Sequence, residues 1–281
     1  MAFHCLNGKF IHSTEHIFSA ENRAFRYGDA LFETIRCHHT VPAFFKAHYR
    51  RLIRGMALLH MNIGSLPTED QLRQHIEQLI QKNYIVNHSR LRLTVFRNNG
   101  GLYTPADNNV SFLMEVSPLP QNGYALNAKG LMVGIFEEQL KPINALASFK
   151  SANALFYVMA GIHRKEHLWD DCLLVNQNNK IIEGLSSNLF WIKNSHVYTP
   201  YVSSGCVDGI MRQQVIAIIK ESGLSLHEVP GTTKPKLLEA DEIFLTNAIQ
   251  GIQWVVGLDY RRYYSKYVKQ LSLALNQHPI N

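Results

Sequence analysis

The segment Ser117-Pro118-Leu119-Pro120-Gln121-Asn122-Gly123 constrains this chain more than any other. Two prolines and a glycine between apolar runs cannot continue a helix or a central strand, so the 281 residues divide there. Strand and helix patterns mix on both sides. With 46% hydrophobic residues, each portion is long enough to bury a core of its own. The expected architecture is α/β (α+β) with two domains: a smaller N-terminal α/β domain over 1–117, a linker over 118–123 and a larger C-terminal domain over 124–281. A cleft between two such domains favours small-molecule binding.

Periodicity supplies the elements. Met1 to Ile11 reads as a strand pair turning at Asn7-Gly8. Ala30 to His38 and Val41 to Phe45 read as strands, as do Arg90 to Phe96 and Val110 to Ser117, rich in β-branched and aromatic residues. Leu52, Met56 and Leu59 share a helical face over Ala47 to His60. A second helix over Thr68 to Lys82 opens on a Thr68/Gln71 capping box and carries Leu72, Ile76, Leu79 and Ile80 on one side. Beyond the linker, short strands are expected at Leu131 to Glu137, Cys172 to Asn176, Lys180 to Glu183, Asn188 to Lys193, His196 to Thr199 and Glu242 to Thr246. Helices are expected from Lys150 to about Leu168, from Gly209 to Ser222 with a stop at Gly223, and from Ser265 to Asn276.

Composition excludes several classes. No apolar run approaches the ~20 residues of a membrane span, and Met1 to Lys9 lacks a signal-peptide core. The four cysteines, Cys5, Cys37, Cys172 and Cys206, lack metal-ligand spacing, which points to reduced thiols in the cytoplasm and to no metal. The net charge of +6 is dispersed, with its densest cluster at Lys46, Arg50, Arg51 and Arg54. Anionic small molecules account for that surplus as well as nucleic acid does, so a nucleic-acid partner is not expected.

Several residues carry candidate chemistry. Lys150 sits in Ala147-Ser148-Phe149-Lys150-Ser151-Ala152-Asn153, where an extended stretch meets a helix, and Glu183 sits in the Gly/Ser turn Ile182-Glu183-Gly184-Leu185-Ser186-Ser187-Asn188. A lysine at such a junction and a carboxylate in such a turn are what pyridoxal 5'-phosphate (PLP) requires: an amine for its aldehyde and a partner that keeps its pyridine nitrogen protonated. Near a helix N-terminus, burial and the dipole would both favour the neutral amine. Asp208 reads as the N-cap of a helix whose Ile210 and Met211 amides could meet a phosphate. The segment His48-Tyr49-Arg50-Arg51-Leu52 offers a guanidinium that could grip the same phosphate at two points. Thr246-Asn247-Ala248 could complete that cradle or meet a substrate carboxylate, and Arg97, before Gly100-Gly101, could meet a carboxylate too. Taken singly, each has an ordinary reading as a solvated side chain, a capped helix or a strand-end turn.

Together, in this chain order, they resemble one family. Phe25-Arg26-Tyr27-Gly28-Asp29-Ala30-Leu31-Phe32-Glu33-Thr34-Ile35-Arg36, His48-Tyr49-Arg50-Arg51-Leu52, Lys150, Glu183-Gly184-Leu185-Ser186-Ser187-Asn188-Leu189-Phe190, Tyr198-Thr199-Pro200, Gly209-Ile210-Met211-Arg212 and Ala240-Asp241-Glu242-Ile243-Phe244 resemble the class IV PLP-dependent aminotransferases over nearly the whole chain. The resemblance implies the two-domain fold of D-amino acid aminotransferases, with PLP at the domain interface, in a homodimer whose active sites draw on both subunits. It implies Lys150 as the PLP-bearing lysine, Glu183 on the pyridine nitrogen, and Arg51, Ile210, Met211, Asn247 and Ala248 around the phosphate. Arg97, Phe32 and Thr246 would meet an amino/carboxylate substrate.

Within the family the motifs lean towards 4-amino-4-deoxychorismate lyase, which forms 4-aminobenzoate and pyruvate in folate biosynthesis. Met211 stands where transaminases usually have threonine, Thr246-Asn247-Ala248 resembles the lyase asparagine-alanine pair, and Arg97-Asn98-Asn99-Gly100-Gly101 resembles a lyase loop. Lys150 would then be the general base and Thr34 a proton donor to the departing group. Glu33 instead follows the branched-chain pattern, so a branched-chain or D-amino acid transaminase is the alternative. A non-catalytic nucleic-acid-binding module on a degenerate enzyme fold is the remote one.

Overall fold

The structure is a computed structural model that describes residues 2–120 and 123–279. Gln121 and Asn122 of the expected linker lie outside the described residues. The chain forms two compact units. One takes residues 2–120 and Phe149–Ala154; the other takes Gly123–Ser148 and Leu155–Pro279. Lys150 thus belongs to the first unit, although 124–281 is expected as a single domain. Backbone pairing is the reason. The Phe32 amide donates to the Lys150 carbonyl and the Ala152 amide to the Ala30 carbonyl, each at 2.8 Å, and Leu31 bridges Ser151.

The first unit runs β1 (Phe3–Leu6), β2 (Lys9–His12), α1 (Arg23–Tyr27), β3 (Ala30–His38), β4 (Val41–Pro42), α2 (Phe45–Leu58), α3 (Glu69–Lys82), β5 (His88–Arg97) and β6 (Val110–Pro118). Its strands form one antiparallel sheet in the order β2-β1-β6-β5-β3-β4. Asn7 and Gly8 turn the β1–β2 hairpin with φ of 49° and 82°, the left-handed pair that such a turn needs. The Thr68/Gln71 capping box forms as expected and starts α3 at Glu69, worth about 1 kcal/mol. The strand expected over Val41 to Phe45 is cut short, because Phe44 turns left-handed (φ 53°) and releases α2 at Phe45.

Alternation along β3 gives the sheet two unlike faces. Leu31, Ile35 and Cys37 join Leu52 and Met56 of α2 and Leu72, Ile76, Leu79 and Ile80 of α3 in the main core. Burying each large side chain there contributes roughly 1.5–3 kcal/mol. The opposite face is apolar at one end, where Ala30, Phe96 and Leu113 pack with Ala152. Further along it becomes charged, with Thr34 paired to Arg92 and Arg92 to Glu115 across three strands.

The second unit contains β7 (Leu131–Lys141), α4 (Leu155–Glu166), β8 (Asp171–Asn176), β9 (Ile181–Gly184), β10 (Asn188–Lys193), β11 (His196–Pro200), α5 (Ile210–Glu221), β12 (Leu226–Val229), α6 (Lys234–Leu238), β13 (Glu242–Asn247), β14 (Gly251–Leu258), β15 (Arg261–Arg262) and α7 (Lys266–Gln277). Its sheet runs β12-β11-β10-β13-β14-β7-β8-β9, and β9 also pairs with β10, closing a ring of strands. The strands of the pattern are present. β12, β14 and β15 are additional, as are the one-turn helices α1 and α6. The helix expected from Lys150 onward starts only at Leu155, so Lys150 lies in extended backbone rather than at a helix N-terminus. No helix among the described residues is long and apolar enough to cross a membrane.

Candidate active site

Pairing with β3 lays Lys150 along the charged face of the first sheet. Its Nζ lies 4.9 Å from the centre of the Phe32 ring, and the Arg92 guanidinium lies 3.9 Å from the same centre. Two residues along the strand, Thr34 points to the same side, directly opposite Arg92. Lys150, Phe32, Thr34 and Arg92 therefore share one face. Arg92 has no counterpart among the residues singled out from the sequence, because Leu91-Arg92-Leu93 reads as an ordinary alternation with a solvated arginine. Burial lowers its ordinary value, Glu115 opposes this and Arg90 adds to it; the guanidinium stays cationic at physiological pH.

Beneath this face lies a buried ionic group. Glu33 points into the core side of β3 and receives Arg51 Nε on Oε1 (2.8 Å) and Arg51 Nη2 on Oε2 (2.5 Å). His48 Nδ1 is 2.6 Å from Oε2. Burial alone would raise the Glu33 carboxyl, but Arg51 and His48 hold it down to about 2. Burial lowers His48, opposed by Glu33 and reinforced by the charges of Arg51 and Lys150. The Nε/Nη2 edge of Arg51 is taken by Glu33, so the two-point phosphate grip expected from the sequence is not open on that edge.

Arg97 occupies a different environment from the one expected. All three guanidinium nitrogens donate within the fold: Nε to Asp29 Oδ2 (2.9 Å), Nη1 to Asn108 Oδ1 and Nη2 to the Leu59 carbonyl (2.7 Å). The residue is 6% exposed. Asp29 also receives Arg23 Nε at 2.9 Å, and Arg23 Nη1 donates to the carbonyls of Gly100 and Leu102. Arg23 thus holds the Gly-rich loop, and Asp29, shared with Arg23, is the carboxylate partner of Arg97.

In the second unit, Glu183 is 2% exposed and fully directed. Its Oε1 accepts from Lys141 Nζ and from Tyr157 Oη (3.1 Å), and its Oε2 accepts from the Val207 amide (2.8 Å). Burial, then the Glu183 charge, pushes the Tyr157 phenol far up, so Tyr157 stays a donor. Among the described residues Oε2 carries one hydrogen bond, leaving acceptor capacity for a second donor such as a protonated ring nitrogen. Lys141 and Tyr157 escaped sequence reasoning. A register shift in the β7–β8 pairing between Phe136 and Lys141 turns Lys141 inward at the end of β7.

Glu183, Asn188 and Thr246 are successive cross-strand neighbours on β9, β10 and β13, so their side chains share a face. The Asn188 carboxamide donates to the Val207 carbonyl (2.8 Å) and lies against Gly209, where a Cβ would fall 1.8 Å from its Oδ1. Gly209, not Asp208, is the N-cap of α5; it has no side chain to cap with, and Asp208 instead accepts from Gln213 Nε2 (2.8 Å). The amides of Ile210 and Met211 therefore have neither an intrahelical acceptor nor a side-chain cap. Thr246 Oγ1 is buried and makes no hydrogen bond among the described residues. Asn247 spends its Oδ1 on the Ile249 and Gln250 amides, which shapes the turn carrying Ala248. Arg212 ties α5 to the Pro200 carbonyl (2.8 Å) and Glu228.

An uncapped helix start, a buried hydroxyl without a partner and a carboxylate with acceptor capacity are what a phosphate and a pyridinium need. The residues present fit PLP. Among the described residues no cluster suits a metal ion.

Comparison with known proteins agrees. The chain is 29% identical over 275 residues, 97% of its length and 93% of the other's, to a Methanocaldococcus jannaschii protein provisionally described as a branched-chain-amino-acid aminotransferase. It is 27% identical to the aminodeoxychorismate lyase of Vibrio harveyi, covering 84% of this chain and 86% of that one. A Legionella pneumophila structure provisionally described as 4-amino-4-deoxychorismate lyase matches with a TM-score of 0.85 at 26% identity, over 94% of this chain and 96% of that one. The family model for class IV amino-transferases matches residues 30–257. With fold, site and relatives in agreement, this chain belongs to the class IV aminotransferase family of PLP-dependent enzymes.

Proposed function

We propose that this chain is a 4-amino-4-deoxychorismate lyase, forming 4-aminobenzoate and pyruvate. The observation that carries this reading is the Thr34 hydroxyl on the same sheet face as Lys150, opposite Arg92. Lyase chemistry needs a proton donor for the departing enolpyruvyl group, and a hydroxyl beside a cation can serve. Bound PLP would supply an electron sink for the carbanion formed at the amine-bearing carbon. Glu183, fixed by Lys141, Tyr157 and Val207, would hold the ring nitrogen protonated. The Ile210 and Met211 amides, Thr246, the Asn247-Ala248 turn and Arg51 would hold the phosphate. Lys150 would take the substrate proton, Phe32 would stack on the substrate and Arg92, in the place expected for Arg97, would bind its carboxylate.

A transaminase of branched-chain or D-amino acids is the second reading. It is favoured by Glu33 in Phe32-Glu33-Thr34 and by the Methanocaldococcus relative. Lys150 would then hand back the proton it took. Either enzyme would act as a homodimer, for which α4 offers Leu155, Val158, Met159 and Ile162, all exposed at helical spacing. The four buried free cysteines suit a reducing cytoplasm, where folate biosynthesis takes place.

The test is to supply 4-amino-4-deoxychorismate to the purified PLP-loaded protein and measure 4-aminobenzoate and pyruvate. The lyase reading expects both. Amino transfer from glutamate, leucine or D-alanine to a 2-oxo acid, with no 4-aminobenzoate, overturns it.

A further inference from the structure

His48 is 1% exposed and its two ring nitrogens are in unlike states. Nδ1 is held by Glu33 at 2.6 Å, while Nε2 is buried and makes no hydrogen bond among the described residues. Leaving such an atom buried and unpaired is unfavourable unless something completes it. Three charged groups act on the ring: Glu33 from β3, Arg51 one turn along α2, and Lys150 from the strand segment Phe149–Ala154. Two of the three are cations, and the carboxylate is already shared with Arg51. Without a ligand this setting keeps the imidazole neutral, with its proton on Nδ1 towards Glu33 and a bare lone pair on Nε2. A phosphate dianion against Arg51 reverses the balance, because it brings two negative charges to a cation that Glu33 has already neutralised.

We propose that His48 is the proton-accepting member of the cofactor anchor: it is neutral in the cofactor-free protein and takes up a proton on Nε2 when the phosphate binds. This rests on the reading of Arg51 as a phosphate ligand. The proton comes from solvent. The resulting imidazolium donates from Nδ1 to Glu33 and presents Nε2–H as a further donor in the anchor. Between the neutral and protonated limits, phosphate affinity rises as pH falls by up to about tenfold per pH unit, the slope for one proton taken up.

Pyridoxine 5'-phosphate is the probe, since its alcohol cannot react with Lys150. Nitrogen-15 spectra of histidine-labelled full-length protein near pH 8 report the state of each Nε2, and His48→Asn or His48→Gln identifies the resonance. The expected result is a non-protonated His48 Nε2 in the free protein that becomes protonated when the probe saturates, together with a pH slope of affinity that His48→Asn lacks. Binding of the probe with His48 still neutral overturns the proposal and leaves the phosphate reading standing. Unchanged probe affinity in Arg51→Ala overturns that reading, and the proposal with it.

Discussion

Arg51 grips Glu33 at two points inside the first unit, Nε on Oε1 at 2.8 Å and Nη2 on Oε2 at 2.5 Å. The pair spans α2 and β3, so it orients the guanidinium and fastens the helix to the strand that also carries Phe32 and Thr34.

Acid should therefore destabilise the protein in two stages. The folded values of His48 and Glu33 both lie below their ordinary values of 6.5 and 4.5, so the unfolded chain binds more protons and stability decreases as the pH is lowered. The His48 contribution is lost as pH drops below 6.5, and the Glu33 contribution as it drops from 4.5 towards 2. Glu33→Gln, measured by urea unfolding, should lose about 3 kcal/mol at neutral pH, because Arg51 is left buried against a neutral partner. It should also lack the second stage.

Arg97 and Arg92 should separate stability from activity. Arg97→Met removes three charge-assisted hydrogen bonds and leaves Asp29 short of one donor. It should cost about 3 kcal/mol in urea unfolding and loosen the loop after Gly100 to proteolysis. Arg92→Met should unfold within about 1 kcal/mol of the parent, yet lose roughly 10- to 100-fold in kcat/KM, the worth of one charge-assisted substrate contact.

Gly209→Ala should weaken PLP binding at least about tenfold, although alanine is ordinarily the better helix former. The added Cβ meets Asn188 Oδ1 and must push either the carboxamide or the helix start away from its place. Asn188→Gly in the same chain should restore part of the loss. Absorbance titration with PLP measures both.

Lys141→Met should leave Glu183 buried without its cation. The expected cost is about 3–5 kcal/mol in the cofactor-free protein, with weaker retention of PLP. Tyr157→Phe removes only the phenol donor and should cost about 1–2 kcal/mol. Thermal unfolding with and without PLP distinguishes the two.

If the proposed homodimer packs through α4, Val158→Glu should yield monomers, since it places a charge in the middle of that helix's exposed apolar stripe. Sedimentation equilibrium measures the outcome, and an unchanged mass would remove α4 from the interface.

Local chemistry made much of this legible in advance. The Thr68/Gln71 box, the Asn7-Gly8 hairpin and the alternation from Ala30 to His38 each act within a few residues, so pattern and structure coincide there. Lys141 and Arg92 were not legible. The first turns inward through a register shift and the second depends on which strand lies across from it, and neither property belongs to the residue's own neighbourhood.

By itself the sequence determined most of the longer elements, the order of the motifs and the kind of chemistry, because capping, turn geometry and hydrophobic period are short-range. Only the tertiary structure decided that Lys150 belongs to the first unit, that Arg97 is spent on Asp29 while Arg92 shares the face of Lys150, and that Glu183 is held by Lys141. Burial and partner choice arise when distant segments meet, and the strength of a charge inside a protein depends on that meeting.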